Sequence, residues 1–522
     1  MLFNSFAFLF AFLPIVLGVF WFTGRWLSRR ARVAWLVSAS LFFYGWWNPK
    51  YVLLLVASVT FNYIVGYWLS NTDSGSKRRR KSLLAVGVTT DLAILGYYKY
   101  ANFFLASIDA VTGRSLGFLD IVLPLGISFF TFTQIAFLVD AYRSEARETD
   151  FSNYALFVTY FPHLIAGPVL HHKEMMPQFA RISRQFKYED IAVGLTLFSF
   201  GLFKKVVLAD SIAPFATSTF EAAKAGVDLT LFEAWGGVLA FTFQIYFDFS
   251  GYSDMAVGLA RMFGIRFPIN FYSPYQARNI IEFWRRWHIT LSRFLRDYLY
   301  IPLGGSRKGK ARRYANLMVT MLLGGLWHGA SWTFVIWGGL HGLYLTVNHF
   351  WNELIQRRTP EAKQASALHR MLSIALTSFA VVIAWVFFRA ETFYAAAAML
   401  RAMFGGNGLS LPEGMASHFR SVIPFGVRFD GMFHNGLAQW QAGTFWLAGL
   451  AAITWLAPNT QQIMARFRPT LDGSKQHEAD PGWQWYKWFP SPLQAIIQIL
   501  LILVSIMTMV VGRSSEFIYF QF

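Results

Sequence analysis

Long apolar runs, separated by short basic clusters, constrain the fold of this chain more than any other feature of its sequence. Of the 522 residues, 55% are hydrophobic and only 14% are charged, whereas soluble domains carry about 25% charged residues. A helix of about 20 apolar residues spans a bilayer. The sequence therefore predicts an all-α, polytopic helical membrane protein with about 11 to 13 membrane-embedded helices, including re-entrant segments.

Composition excludes several classes of function. The net charge of +18 suggests nucleic-acid binding at first sight, but the basic residues fall in clusters between apolar runs, where they set topology and contact anionic lipid headgroups. The chain has no cysteine, which excludes disulfides, thiolate metal sites and a cysteine nucleophile. The longest stretches without a predicted span, 266–313, 405–442 and 458–492, are each too short for an independent core. We therefore expect a single membrane domain over residues 1–522.

The basic clusters predict which loops face the cytoplasm, because lysine and arginine concentrate on that side of membrane proteins. Such clusters occur at 25–32, 77–81, 307–313 and 357–370. Residues 314–350 lie between two of them and must cross the membrane twice, with the only break at GGLWHGAS, 324–331. The loop before residue 231 and residues 389–442 are predicted to lie outside. Residues 153–170 contain two prolines. A full crossing there would leave an odd number of crossings between predicted cytoplasmic loops, so a re-entrant hairpin is favoured.

The run NLMVTMLLGGLWHGASWTFVIWGGLHG, 316–342, places the ionisable side chain of His328 inside an apolar setting. His328 lies about 21 Å along the predicted helix, well inside a hydrocarbon core of about 30 Å. An imidazole at that depth is costly unless it has a partner or a function. Gly324, Gly325 and Gly329 leave room beside it for another chain or a ligand. Glycines of this kind also serve close helix packing, and a membrane histidine can simply donate a hydrogen bond to a carbonyl.

A second informative segment is EFWRRWHITLSRFLRDYLYIPLGG, residues 282–305. On a continuous helix, Trp284 and His288 would lie four residues apart on one face. Arginine forks suit phosphate groups, and tryptophan faces suit adenine or a lipid interface. The segment is therefore either a donor-binding surface or an interfacial amphipathic helix. The candidate donor-binding residues are Trp284, Arg285, Arg286, Trp287, Asp297 and Tyr298.

Three further groups of polar residues are candidate sites. DFSGYSD, 248–254, offers two carboxylates as a cation site or a polar hinge, and a structural role is favoured because the ligand count of a calcium loop is lacking. His171 and His172 have no second ligand pair, and His341 follows His328 by thirteen residues, which is not the spacing of a zinc helix. The sequence predicts no metal site.

These motifs together resemble the membrane-bound O-acyltransferase (MBOAT) family. WRRWHITLSRFLRDYLYIPLGG and the later LLGGLWHGASW, with QIYFDFSGYSDMAVGLA before them and SEFIYFQF at the end, resemble most closely the branch that O-acetylates bacterial exopolysaccharides. The signature core covers about 120–350. The resemblance implies that His328, in the WHG element, is catalytic and that His288, in the RWH element, is the second functional histidine. Gly324, Gly325, Trp327 and Gly329 would shape the site around them.

The resemblance also implies a reaction and its setting. It implies that an acetyl group moves from a cytoplasmic donor, acetyl-CoA, across the bacterial inner membrane. The product is an O-acetylated, secreted exopolysaccharide, and no bound cofactor is expected. Alginate is the first candidate, and cellulose or another polymer is the alternative. A neutral His328 would act as general base, and His288 would orient the donor or hold the tautomer of His328. A periplasmic SGNH-hydrolase-like acetyltransferase and a polysaccharide synthesis and export complex are the implied partners. A transporter or flippase and a structural scaffold remain as rivals.

Overall fold

A computed structural model describes most of the chain. It covers residues 1–22, 26, 28–72, 76–148, 150–182, 186–358, 366–411, 414, 427–429, 440–471, 487–512 and 518. Helices dominate these ranges. The strands described in them are β1, Leu409–Ser410, and β2, Val427–Arg428, which pair in parallel. The all-α prediction is confirmed. Lys363, in the predicted cytoplasmic cluster at 357–370, lies outside the described residues, as does most of SEFIYFQF.

The first half of the chain forms helices whose bounds follow the apolar runs. Polar residues cap some of them: the Ser28 hydroxyl accepts a hydrogen bond from the backbone N–H of Ala31. The helices are α1 Leu13–Phe22, α2 Arg29–Gly45, α3 Lys50–Asn71, α4 Lys77–Leu95, α5 Ala101–Thr112, α6 Ile127–Tyr142, α7 Phe151–Thr159, α8 Phe161–Leu164, α9 His172–Ala180, α10 Tyr188–Phe203 and α11 Asp210–Lys224. π-helical turns at Phe8–Phe12, Gly96–Tyr100 and Lys204–Ala209 adjoin α1, α4 and α10.

The second half contains the region of the predicted site. Its helices are α12 Leu231–Met262, α13 Ile280–Trp284, α14 Ile289–Leu295, α15 Lys310–His328, α16 Trp332–Arg358, α17 Ala367–Arg389, α18 Phe393–Met403, α19 Trp440–Leu456, α20 Thr460–Ile463 and α21 Pro492–Val511. A π-helical turn at Arg296–Tyr300 extends α14, and short 3₁₀ turns occur at Pro274–Gln276 and Ala465–Phe467.

The described helices have the length and polarity of membrane spans. Four are long and apolar enough to cross a bilayer: Lys50–Asn71, Tyr188–Lys224, Ala367–Arg389 and Pro492–Val511. Shorter apolar helices occur at Phe8–Phe22, Ile127–Tyr142, Phe393–Met403 and Ala442–Leu456. The chain is therefore a polytopic helical membrane protein.

Breaks in the helices fall where the sequence weakens helix formation. The 153–170 run breaks at Tyr160, shortly before Pro162, because a proline has no N–H to donate to the preceding helical turn and its ring clashes with that turn. The 314–350 run breaks at Gly329, which has an extended φ of −155°. That break is shorter than expected, since α15 continues through Gly324 and Gly325 and ends only at His328.

Helix α12 continues through DFSGYSD to Met262. Trp284 and His288 do not share one helix face, because α13 ends at Trp284 and the backbone of His288 is left-handed, with φ of 43°. That conformation is uncommon for a residue other than glycine and costs about 1 to 3 kcal/mol.

The described chain divides into two compact units. The first unit comprises Met1–Leu202, Tyr252–Asn270 and Thr460–Leu503, and the second comprises Phe203–Gly251, Phe271–Asn459 and Val504–Phe522. In the first unit, α2, α3, α4, α6 and α7 pack against one another. In the second, α15 packs most extensively on α16, and α17 packs on α16 and α18. Both predicted functional histidines lie in the second unit.

Candidate active site

Helices α15 and α16 form an antiparallel hairpin with closely packed backbones. A Cβ atom built on Gly325 would lie 2.2 Å from the carbonyl oxygen of Phe334, and one on Gly338 would lie 2.2 Å from that of Met321. Contacts this short leave no space for a side chain at either glycine. The space beside Gly325 is therefore occupied by α16. Gly324 has a more open setting, where a Cβ would meet only a Leu295 methyl at 3.3 Å.

His328 is the last residue of α15 and is buried at the turn of this hairpin, with 4% of its surface exposed. Its ring centroid lies 4.8 Å from Trp327, 5.0 Å from Trp337 and 5.3 Å from Phe388. These three rings come from α15, α16 and α17. Aromatic walls exclude water from the imidazole, which strengthens electrostatic interactions at this position.

His288 is held close to the same aromatic cluster. Its ring centroid lies 6.5 Å from Trp327, which also contacts His328. Phe249 and Phe271 line its other sides at 6.3 and 6.0 Å. Its Nδ1 atom is buried and has no hydrogen-bond partner in the described part of the chain. His288 lies in the turn between two short helices, where burial lowers the pKa of its imidazole to about 3. The ring is therefore neutral at physiological pH.

The structure adds His341 to the site. From the sequence alone, this residue is considered only as a possible zinc ligand. Trp284 donates its indole N–H to Nδ1 of His341 at 3.2 Å. A neutral His341 therefore carries its proton on Nε2, a buried atom without a hydrogen-bond partner among the described residues. Trp337 lies 4.8 Å from His341 and contacts His328 on its other side. The i, i+4 spacing of Trp337 and His341 is the signal that predicts a shared helix face.

A polar cavity of about 600 Å³ opens beside His328. Gly329, the next residue along the chain, and Phe388, which contacts the His328 ring, both line it. The remaining walls carry two carboxylates, one guanidinium and several hydroxyls. They are Thr217, Glu221, Ala330, Ser331, Thr333, Phe334, Arg389, Ala390 and Glu391. At the rim, Lys224 forms an exposed ion pair of 2.6 Å with Glu391.

The opposite end of the hairpin is basic. Glu353 near the end of α16 pairs with Lys310 at 2.6 Å and with Arg313 at 3.1 Å. His349 lies close enough to Arg313, Glu353 and Arg285 for their charges to act on its ring. Arg285 is exposed, and no carboxylate in the described part of the chain pairs with it. This end therefore presents more positive charge than its own carboxylate neutralises.

The other predicted donor-binding residues lie in different settings. Arg286 pairs with Glu282 at 2.7 Å and stacks over Tyr272, with its guanidinium 6.0 Å from the ring centroid. Trp284 and Trp287 are buried among the aromatic residues rather than exposed on a surface. Asp297 and Tyr298 lie in the π-helical turn after α14, and Asp297 accepts two hydrogen bonds from Arg296, at 2.7 and 3.0 Å.

The carboxylates of DFSGYSD are used in packing. In the second unit, Asp248 pairs with Lys205 at 2.6 Å and accepts the backbone N–H of Ile518 at 3.0 Å. In the first unit, Asp254 accepts the hydroxyl of Thr460 at 2.7 Å. The two carboxylates thus have separate partners, which agrees with the favoured structural role.

Comparisons with known proteins point to one family. The family model for MBOAT, the membrane-bound O-acyltransferase family, matches residues 41–389. The chain is 44% identical over 438 residues to a peptidoglycan O-acetyltransferase of Helicobacter pylori, covering 79% of this chain and 81% of that protein. It is 39% and 37% identical to proteins named probable alginate O-acetylase AlgI in Pseudomonas putida and Pseudomonas aeruginosa, over 100% of both chains in each case.

Proposed function

The chain belongs to the membrane-bound O-acyltransferase family, and from this membership we propose that it moves an acetyl group from acetyl-CoA in the cytoplasm to a hydroxyl acceptor on the outer side of the inner membrane. The names of its relatives and its own signature motifs make it an O-acetyltransferase. We propose the donor, the direction of transfer, the polymer and the roles of individual residues.

The observation that carries the proposal is the position of His328. It lies at the turn of the α15–α16 hairpin, beside a polar cavity, while the far end of the same hairpin is basic. The positive-inside rule places the 307–313 cluster in the cytoplasm, where acetyl-CoA is found. The cavity is lined by Thr217 and Glu221, by five residues between Gly329 and Phe334, and by residues 388–391. The sequence predicts that these segments lie toward the outer side.

In the proposed reaction, His328 acts as general base. One imidazole nitrogen takes the proton of an acceptor hydroxyl in the cavity as the hydroxyl oxygen attacks the thioester carbonyl carbon. A C–O bond forms, the C–S bond breaks, and the imidazolium returns its proton to the departing thiolate. General acid–base catalysis of this kind contributes about 10² to 10⁴ in rate. The aromatic walls around His328 exclude water, which would otherwise compete as acceptor and hydrolyse the thioester.

We assign positioning roles to the two other histidines. His288 is neutral, and its left-handed backbone holds the ring against Trp327, so that it can fix the indole beside His328 or orient the donor. His341 has a proton on Nε2 that is directed by the Trp284 hydrogen bond at Nδ1. It lies on α16 between His328 and the basic end, where this N–H can donate to an oxygen of the donor's amide-containing arm.

The basic end has the chemistry required for the nucleotide part of acetyl-CoA. Arg285 is exposed and unpaired in the described structure, and His349 and Arg313 lie near it. Charge-assisted hydrogen bonds from a guanidinium to phosphate are worth about 1.5 to 3 kcal/mol each. Arg285 is therefore the leading phosphate ligand, ahead of Arg286, whose guanidinium pairs with Glu282.

Alginate is the first candidate for the polymer, because two alginate O-acetylases align with the chain over their whole length. Peptidoglycan is the second, because the H. pylori relative is 44% identical. In both polymers the acceptor is a sugar hydroxyl, reached directly or through a periplasmic SGNH-hydrolase-like partner that carries the acetyl group onward. The cavity's hydroxyls and carboxylates can hydrogen-bond the hydroxyls of either acceptor, and its one guanidinium, Arg389, can pair with a sugar carboxylate such as those of alginate.

A deletion strain tests this proposal. It would be complemented with wild type, with His328→Ala, and with the control His369→Ala, which changes an exposed histidine at the start of α17. Ester-linked acetate would then be measured separately in the exopolysaccharide and peptidoglycan fractions. Loss of acetate from one fraction with His328→Ala alone identifies the polymer. Normal acetate in both fractions, with the variant present at wild-type level, would contradict the proposal. A transporter would instead leave acetyl-CoA unconsumed by the purified protein.

A further inference from the structure

A buried polar cluster lies in the first unit, apart from the residues assigned to catalysis. It involves four helices and consists of Asn62 and Ser58 on α3, Asp91 on α4, Gln134 on α6 and Tyr154 on α7. None of these side chains is more than 6% exposed. The helices α3, α4 and α6 all pack against one another, and α7 packs on α3 and α6.

Hydrogen bonds connect the members of this cluster and fix the orientation of Asn62. Its amide nitrogen donates to Oδ1 of Asp91 at 2.8 Å and to the carbonyl oxygen of Ser58 at 3.1 Å. Both donor hydrogens are thereby used, so the Asn62 oxygen is on the other side of the amide. Gln134 contacts the Ser58 hydroxyl through Nε2 at 2.9 Å. Tyr154 lies close enough to Asp91 to be affected by its charge.

Four oxygen atoms of the cluster have no partner in the described structure. They are Oδ1 of Asn62, Oδ2 of Asp91, Oε1 of Gln134 and the hydroxyl of Tyr154. Three of the four can only accept when Asp91 is ionised. Buried acceptors without donors are rare in proteins, because each costs the free energy of its lost hydration.

The carboxyl group of the cluster also lacks a basic partner. No lysine, arginine or histidine in the described part of the chain forms an ion pair with Asp91. A carboxylate inside a membrane bundle must be neutralised by a proton, a basic partner or a bound cation. A proton on Asp91 would supply one donor and leave other oxygens unsatisfied, whereas a cation can be shared by several oxygen ligands.

We propose that Asp91, Asn62, Gln134 and Tyr154 form a binding site for one monovalent alkali cation of the size of Na⁺. The ligand set consists of oxygen atoms, which hard cations prefer. A single carboxylate balances a single positive charge, which favours a monovalent ion over Ca²⁺ or Mg²⁺, whose sites use more carboxylates. Bound Na⁺ would connect α3, α4, α6 and α7 and stabilise the first unit. This inference does not depend on the proposed acetyl transfer.

Thermal unfolding of the purified full-length protein in detergent tests the site. The unfolding midpoint would be measured over a series of NaCl concentrations balanced with choline chloride, so that ionic strength stays constant. A ligand that binds only the folded state raises the midpoint as its concentration exceeds the dissociation constant. We expect a rise of a few degrees for wild type and no rise for Asp91→Asn, which keeps the side-chain shape and removes the charge.

Two further variants keep the test decisive. Asp120→Asn changes an exposed carboxylate in the same unit and should retain the full response to Na⁺. Tyr154→Phe removes one oxygen and keeps the ring, so half-maximal stabilisation should require several times more Na⁺, even if Asp91→Asn fails to fold. A midpoint that does not respond to Na⁺, or that responds equally in wild type and Asp91→Asn, would overturn the proposal. A response to pH alone that Asp91→Asn abolishes would assign the site to a proton and would also overturn it.

Discussion

The two ends of the α15–α16 hairpin differ in the chemistry that they present. At one end, Lys310, Arg313, Arg285 and His349 surround a single carboxylate, Glu353. At the other end, a cavity of about 600 Å³ combines Glu221 and Glu391 with Arg389 and several hydroxyls. The first end suits a polyanion, and the second offers hydroxyls and charges of both signs to a molecule with many hydroxyl groups.

In the proposed reaction, this difference would let one buried histidine serve two substrates that never share a compartment. His328 lies at the turn, next to the cavity, with Trp337 of α16 and the cavity residue Phe388 of α17 packed against its ring. A long, thin donor can reach the imidazole from one side while an acceptor hydroxyl reaches it from the other. Substitutions that change one end at a time, or the histidine between them, test this difference.

Replacement of His328 should have the largest effect, because both substrates require it. His328→Ala should lower acetyl transfer by about 10² to 10⁴, while donor and acceptor still bind. The measurement is acetyl-CoA consumption by purified protein in the presence of an acceptor, with His369→Ala as the matched control. Turnover of His328→Ala within a fewfold of wild type would remove the histidine from the reaction.

Replacement of Arg285 should affect the donor alone. Arg285→Ala removes a charge-assisted contact worth about 1.5 to 3 kcal/mol, so acetyl-CoA should bind about ten- to a hundredfold more weakly. Arg286→Ala should change affinity much less, because Glu282 already pairs with that guanidinium. Isothermal titration of both variants with acetyl-CoA provides the comparison. Equal donor affinity in wild type and Arg285→Ala would show that the basic end only anchors the protein at the membrane surface.

Replacement of Glu221 should have the smallest effect and should appear only with the acceptor. Glu221→Gln replaces a charge-assisted hydrogen bond to a sugar hydroxyl by a neutral one, so the acceptor KM should rise roughly two- to tenfold, as expected for about 0.5 to 1.5 kcal/mol. The donor KM should stay constant. Glu145→Gln, in an exposed loop of the first unit, is the control. A change in the donor KM in place of the acceptor KM would reverse the assignment of the two ends.

The sequence alone predicts the features that depend on local pattern. The apolar runs predict helices. The basic clusters before and after residues 314–350 are both predicted to face the cytoplasm, which predicts the hairpin that α15 and α16 form. The depth of His328 within its apolar run is sufficient to single out this residue. The helix and hairpin predictions succeed because the period, length and charge of a segment act over a few helical turns. The catalytic role of His328 stays a prediction.

Features that depend on distant segments could not be predicted in the same way. The left-handed backbone of His288 breaks the expected helix, and its cost is offset by tertiary packing against Phe249 and Phe271. The cavity wall combines Glu221, Ser331 and Arg389, which meet only in the folded chain. Arg285 and Arg286 are adjacent in sequence, and only the ion pair with Glu282 distinguishes them.

Cysteine labelling tests most directly whether the two ends face opposite sides of the membrane. The chain has no cysteine of its own, so Ser306→Cys beside the basic end and Thr217→Cys at the cavity can each carry the single thiol. Both positions are exposed. A membrane-impermeant maleimide should label Thr217→Cys from outside in spheroplasts and Ser306→Cys only in inverted vesicles. Labelling of both positions from the same side would contradict transfer of the acetyl group across the membrane through His328.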